Sequence, residues 1–273
     1  MLNIFYKFIK MINYLRSQDS IMDTVVLLKR PRYIIKALFA ANSGNAKAHE
    51  EDWEIDGDKL IIEIATITKA ETGTVIIYLD EFNNDVLFHE AILNKFKKTK
   101  ERDHCLPNYG YRKALYLLVR LLKPSVMIET GSFDGLSSAV ILQAMHLNSN
   151  GHLYTIDLPN PRLPGDIKAA PAWAVPDYLR SRFTLFTGTT NEYLQQAITT
   201  AGATIDMFYH DSWHTYRNMM FEYKMAWNAL RPGGLLISEY LPTLNNAFRD
   251  FTKDKKSPPP NICLANAICY LQN

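Results

Sequence analysis

The chain is poor in cysteine. Its three, Cys105, Cys263 and Cys269, are too few and too scattered for a disulfide framework or a structural zinc site. A reducing, cytoplasmic setting is the expectation. It also lacks an excess of charge of one sign: 30 Lys plus Arg against 28 Asp plus Glu leave +2, so nothing in the total draws it to nucleic acid. Long apolar runs are missing too. Lys7, Lys10 and Arg16 interrupt the first twenty residues, so no stretch reaches the roughly 18 residues of a membrane span, and no signal-peptide core survives. Internal repeats are absent. With 47% hydrophobic and 21% charged residues over 273 positions, disorder is excluded, and one large domain with an extension is expected.

The neutral total conceals a local imbalance. Residues 1–40 hold seven Lys or Arg against two Asp, and Leu2, Phe5, Ile9, Ile12 and Leu15 repeat at helical spacing. This pattern predicts an amphipathic helix that packs on the main domain or a second subunit, with a membrane surface as the other option. Residues 41–58 are polar and read as a loop. Leu60–Thr68 and Thr74–Leu79, separated by Lys69–Gly73, are rich in β-branched residues and predict a β-hairpin.

From Tyr109 the texture changes. Leu115, Leu118, Val119 and Leu122 form one buried helical stripe, ended by Pro124. Short apolar strands then alternate with helices: strands at 125–129, 153–156, 183–186, 205–209 and 235–238, helices at 136–147, 191–200 and 215–230. That alternation predicts a Rossmann-like, doubly wound α/β fold, a mostly parallel sheet with helices on both faces. The boundaries expected are 1–108 for an N-terminal α+β extension and 109–273 for the sheet domain. In such sheets ligands bind at the carboxyl ends of the strands, so the residues just after each strand are the candidates.

After the first strand comes Glu129-Thr130-Gly131-Ser132-Phe133-Asp134-Gly135-Leu136-Ser137. Its glycines allow a tight turn and close backbone approach. With Leu at 136, it lacks the third glycine of a G-x-G-x-x-G dinucleotide loop. An acid beside such a turn suits a ligand bearing a cationic amine. Asp157 ends the second strand, placed to accept hydrogen bonds from a ribose diol. Thr187–Asn191 follows the third, where Thr190 or Asn191 would serve as an N-cap or lie near a ligand ring. His210-Asp211-Ser212-Trp213-His214-Thr215-Tyr216 follows the fourth. Its His214 is a candidate general base, Asp211 an orienting or cation-holding acid, and Trp213 and Tyr216 candidate pocket walls. Leu230–Gly234 (LRPGG) stops a helix and turns into the fifth strand, which ends at Ser238-Glu239.

Together these pieces resemble the class I S-adenosylmethionine-dependent methyltransferases, and most of all methyltransferase family 24. The likeness rests on VMIETGSFDGLSS (126–138), LYTID (153–157), RFTLFTGTTNEYL (182–194), the stretch 205–227 with its HDSWHTY string, and LRPGGLLISEY (230–240). The resemblance implies S-adenosylmethionine as cofactor and a small-molecule or sugar acceptor, methylated at a hydroxyl. It implies that Glu129, Gly131, Ser132, Phe133, Gly135 and Ser137 hold the methionine end and Asp157 the ribose. Gly188 and Thr189 would lie near adenine, and Asp211 beneath the sulfonium. Tyr109 and Gly110, in LPNYG, match the segment that folds over the cofactor, and Trp173, Trp213, Tyr216 and Glu239 stand toward the substrate. Metal-dependent relatives pair the strand-four aspartate with two acids or amides after strand five. Only Asp211 and Glu239 remain of that set, so magnesium is not favoured. Two other functions compete: a non-catalytic binding module of the same fold, and a nicotinamide oxidoreductase, which the missing glycine opposes. Residues 159–181, with five prolines from Pro159 to Pro176, read as a long loop at the substrate mouth, with Trp173 as its wall. Residues 244–254 predict a helix and 262–270 one strand, leaving the far sheet edge reduced or filled by the N-terminal region. A homo-oligomer is compatible with the pattern.

Overall fold

A computed structural model describes residues 57–97, 107, 109–159, 171–239, 246–255, 263–264 and 268–273. The amphipathic pattern of residues 1–40 lies outside them.

Seven described strands form one sheet: β1 (Val126–Thr130), β2 (His152–Asp157), β3 (Phe183–Thr187), β4 (Ile205–His210), β5 (Leu230–Glu239), β6 (Cys263–Leu264) and β7 (Ile268–Gln272). Their spatial order is β3-β2-β1-β4-β5-β7-β6. The first five run parallel, while β7 is antiparallel to β5 and β6 to β7. The C-terminal stretch is therefore two paired strands, not one, and it completes the sheet edge that was expected to be reduced. The chain reverses its direction of travel across the sheet between β1 and β4, which makes their carboxyl ends the switch point where a crevice opens.

The doubly wound alternation is present, with α4 (Arg112–Leu122) leading into β1, α5 (Leu136–Leu147), α6 (Thr190–Thr200) and α7 (Tyr216–Ala229) between strands, and α8 (Ala247–Asp254) after β5. The helix α6 is capped by Thr189, not by Thr190 or Asn191. The Thr189 hydroxyl accepts from Glu192 N–H, and the Glu192 carboxylate accepts in return from Thr189 N–H at 2.8 Å, a reciprocal capping box. The LRPGG segment is itself the start of β5, with a register irregularity opposite Ile205–Met207.

The predicted β-hairpin is wrong. Its two halves are helices, α1 (Gly57–Thr68) and α2 (Thr72–Asn83), followed by α3 (Val86–Lys97). Leu60 and Ile64 are buried one turn apart, as are Val75 and Phe82 two turns apart. The threonines that raised β-propensity bond back to the helix instead, Thr66 Oγ1 to Ile62 O at 2.8 Å and Thr68 Oγ1 to Ile64 O at 2.7 Å. Both α1 and α2 pack on α4. That explains why α4 is buried continuously from Ala114 to Arg120 and not only along one stripe. Side chains from both sides of residue 108 thus share one core: Leu60, Ile64 and Phe82 belong to the same cluster as Leu115, Leu118, Val140 and Met207. Burial of such an apolar face contributes about 1.5–3 kcal/mol per large side chain, enough to override a preference of under about 1 kcal/mol per residue.

Candidate active site

The carboxyl ends of β1, β2, β4 and β5 surround a cavity of about 940 Å³. Gly131 turns the chain at the end of β1 with φ +82°. A Cβ there would lie 2.2 Å from the Asp211 carbonyl oxygen, so glycine is what lets β1 and β4 end side by side. The backbone seals this junction: Asp211 N–H donates to Thr130 O at 2.8 Å and Gly131 N–H to Ile156 O at 2.9 Å.

Asp157, at the end of β2, faces the cavity and organises the loop. One carboxylate oxygen accepts from Ser132 N–H at 3.0 Å, Ser132 Oγ at 3.2 Å and Phe133 N–H at 2.5 Å. Leu158 N–H donates to the other at 2.7 Å. Ser132, Phe133, Ser137, Gly188 and Thr189 also line the cavity, with Phe133 exposed at 59% and in the left-handed region at φ +49°.

Two of the first-loop residues expected to hold the ligand, Glu129 and Gly135, do not line it. Glu129 is fully buried and surrounded by hydroxyls: Ser137 Oγ donates at 2.6 Å, Thr155 Oγ1 at 2.9 Å, and Ser138 Oγ also donates. Burial pushes its carboxyl upward against the pull of those three donors. These bonds hold it beneath the loop, and it is not among the residues lining the cavity. Gly135, φ +92°, is a glycine because the 171–175 segment crosses behind it; a Cβ would sit 2.6 Å from Ala172 Cα.

At the β4 and β5 ends, three titratable groups converge. One ligand atom each from Asp211, His214 and Glu239 lies within 4.8 Å of the other two. Asp211 accepts from Tyr209 Oη at 3.0 Å and Tyr111 Oη at 3.3 Å, and His214 Nε2 meets Glu239 Oε2 at 3.0 Å. Burial, with the neighbouring Glu239 charge, pushes the Asp211 carboxyl well up, and Arg112 offsets only part of it. Burial acts on Glu239 too, but His214, Asp211 and Arg112 outweigh it and hold that carboxylate below its usual range. The two close acids are thus pushed in opposite directions, Asp211 toward its neutral form and Glu239 toward its charged one. One imidazole and two carboxylates also suit a divalent cation. Sequence counting found two candidate ligands; the fold adds His214 as a third.

Residues 128–239 match a family described as a methyltransferase domain. The match runs from the middle of β1 to the last residue of β5 and so spans every strand end that meets the cavity.

This stretch of the chain resembles a methyltransferase domain.

Solved structures similar to the chain include an O-methyltransferase from Bacillus cereus in complex with SAH. It is 18% identical, with 73% of this chain and all of that one covered at a TM-score of 0.49. The O-methyltransferase TomG from Streptomyces achromogenes, involved in tomaymycin synthesis and bound to SAM, is 17% identical over 67% of this chain and 90% of its own, TM-score 0.49. The calicheamicin methyltransferase CalS11 is 19% identical over 74% and 92%, TM-score 0.46. No curated protein matches the sequence.

Within residues 128–239 and the segment before them, four expected side chains need correction. Tyr109 faces away from the cavity, edge-on to Phe82 at 5.2 Å between ring centroids and beside His89 at 4.9 Å. Two residues on, Tyr111 and Arg112 line the cavity in its place. Trp173 is not a wall of the mouth: it packs on Phe96 of α3 at 5.0 Å in the core. Residues 160–170 of the same loop lie outside the described residues. Tyr216 sends its hydroxyl to Asp250 on α8 at 3.4 Å, away from the cavity. His214 is not among the lining residues and reaches the cavity through Glu239, which is. Trp213 lines it and is 45% exposed.

Sequence reading missed Tyr111, Arg112 and Tyr209. The first two adjoined the segment it singled out, so only the direction of the turn before α4 was missing. Tyr209 sat unremarked inside an apolar strand.

Proposed function

We propose that this methyltransferase domain transfers a methyl group from S-adenosylmethionine to a hydroxyl of a small molecule or sugar. The observation that carries the reading is the placement of Asp157, the Gly131 turn and the Asp211–His214–Glu239 group around one cavity at the switch point. When bound, S-adenosylmethionine supplies an already activated methyl group. Asp157 would take the ribose hydroxyls, exchanging or sharing the loop amides it holds now. The turn from Gly131 to Phe133 would carry the methionine end, and Gly188 and Thr189 would border adenine. His214, held by its pairing with Glu239, would take the acceptor's hydroxyl proton, and the cavity walls align the reacting groups. A divalent cation, if used, would be held by Asp211, His214 and Glu239 and would lower the hydroxyl's pKa. The low cysteine content favours a cytoplasmic location, and among the described residues no helix is long and apolar enough to cross a membrane. A membrane or subunit contact would fall to residues 1–40.

Calorimetry of the full chain with S-adenosylmethionine, S-adenosylhomocysteine and NADH, each with and without magnesium or manganese, tests this. Saturable binding of the first two is expected, weakened about ten- to hundredfold by Asp157→Ala, the value of a charged hydrogen bond. Binding of NADH alone would overturn it. With an acceptor in hand, His214→Ala should lower kcat about a hundredfold. Unaltered turnover would remove His214 from the mechanism and leave Glu239.

A further inference from the structure

We propose that Glu222, which does not line the cavity, is the positioning residue that presets its walls around Asp211; the inference rests on the methyltransferase reading above. Glu222 lies inside α7 and is fully buried. Its Oε2 accepts from Thr130 Oγ1 at 2.6 Å and pairs with His210 Nδ1 at 2.6 Å. Its Oε1 accepts from Ser212 Oγ at 2.6 Å and Asn218 Nδ2 at 2.8 Å. Four donors thus fill the acceptor capacity of one carboxylate.

What those donors are attached to matters more than their number. Thr130 ends β1 and immediately precedes the Gly131 turn. His210 and Ser212 are the two chain neighbours of Asp211. Asn218 also donates to Trp213 O at 3.0 Å and accepts from Thr190 Oγ1 at 3.2 Å. Through one side chain, the ends of β1 and β4, the loop leading to His214, and the first turns of α6 and α7 are held in register. Gly131, Asp211, Ser212, Trp213, Thr190 and Asn218 all line the cavity. Burial alone would push the Glu222 carboxyl up, but His210 and the hydroxyl donors outweigh it, which favours the charged form that only accepts. An uncharged amide in its place must aim an N–H at two of the four donors, leaving buried polar groups opposed.

A carboxylate at the opposite end of the same strands supplies the control. Asp206, at the start of β4, accepts from Ser125 N–H at 2.8 Å, Val126 N–H at 2.9 Å and Arg231 Nε at 2.5 Å. It ties strands together as Glu222 does, but far from the cavity. The experiment compares Glu222→Gln, Ser212→Ala and Asp206→Asn in the full chain, by melting temperature and by calorimetric Kd for S-adenosylhomocysteine. Asp206→Asn should lower the melting temperature with Kd within twofold of wild type. Glu222→Gln should raise Kd at least tenfold, and Ser212→Ala, which removes one bond and still folds, about three- to tenfold. If Glu222→Gln behaves like Asp206→Asn, losing stability while the folded protein binds normally, Glu222 is structural only and the proposal falls. Should Glu222→Gln not fold, an unchanged Kd in Ser212→Ala overturns the proposal equally. A wild type that binds no S-adenosylhomocysteine would overturn the functional reading, and this role with it.

Discussion

Replacing Gly131 by alanine isolates the contact on which the site is built. The added Cβ would lie 2.2 Å from Asp211 O, 2.5 Å from Asp211 C and 2.7 Å from Ser212 Cα. All three are backbone atoms, so no rotamer change relieves the overlap. The ends of β1 and β4 would have to part by about 1 Å to restore ordinary contact, against the 2.8 Å hydrogen bond from Asp211 N–H to Thr130 O. A left-handed conformation costs an L-residue about 1–2 kcal/mol and overpacking about 1–3, together about 2–5 kcal/mol. For a domain of this size that is a fall in melting temperature of roughly 4–20 °C. Gly202 separates the two contributions. It also has a positive φ, +94°, but a Cβ there meets nothing within 4 Å. Gly202→Ala should therefore show the conformational cost alone, about 1–2 kcal/mol. The assay is denaturant unfolding of both variants, with S-adenosylhomocysteine affinity measured on the folded protein. Gly131→Ala should lose more stability than Gly202→Ala and at least tenfold in affinity, because the shift displaces Asp211. Equal losses in the two variants, with affinity intact, would refute the close-approach argument.

Two further outcomes are expected. Trp173→Ala should destabilise the fold by about 3–5 kcal/mol, the cost of emptying an aromatic site in a core, and leave cofactor Kd within twofold; an affinity loss without destabilisation would return Trp173 to the mouth. The ion pair of Glu81 with Arg120 Nε, at 2.7 Å, joins α2 to α4. Burial pushes the Glu81 carboxyl up, but hydrogen bonds from Arg120 and Tyr116 outweigh it, and the net direction is down from 4.5. A carboxylate lowered in the folded state adds stability that is fully present above its unfolded pKa and is lost as pH falls through the folded one. Urea midpoints should thus fall below about pH 4.5 less steeply in Glu81→Gln than in wild type; parallel acid limbs would show that the pair contributes nothing.

Much of the sheet was legible because each of its signals is local. A buried parallel strand is a short apolar run, and the residue ending it is adjacent in sequence, so Asp157, Asp211 and the Gly131 turn could be named from spacing. The failures have one cause in common. The β-branched runs at 60–68 and 74–79 read as strands because Ile and Thr favour pleated backbone, yet Leu60, Ile64 and Phe82 gain more by covering α4, a partner about thirty to sixty residues away. Trp173 and Tyr109 were assigned to the cavity by their position in loops, but which way a loop turns depends on what packs behind it, here Phe96 in one case and Phe82 with His89 in the other. Glu129 is an acid at a strand end, but pleat and helix phase aim it at Ser137, Ser138 and Thr155. The sequence alone thus determined the five parallel strands and the residues at their ends, because hydrophobic period and glycine turns act over a few residues. Only the tertiary structure decided which of those side chains meet. The convergence of Asp211 with His214 and Glu239, and the gathering of Thr130, His210, Ser212 and Asn218 on Glu222, join residues up to about a hundred positions apart, and no local preference encodes distances of that kind.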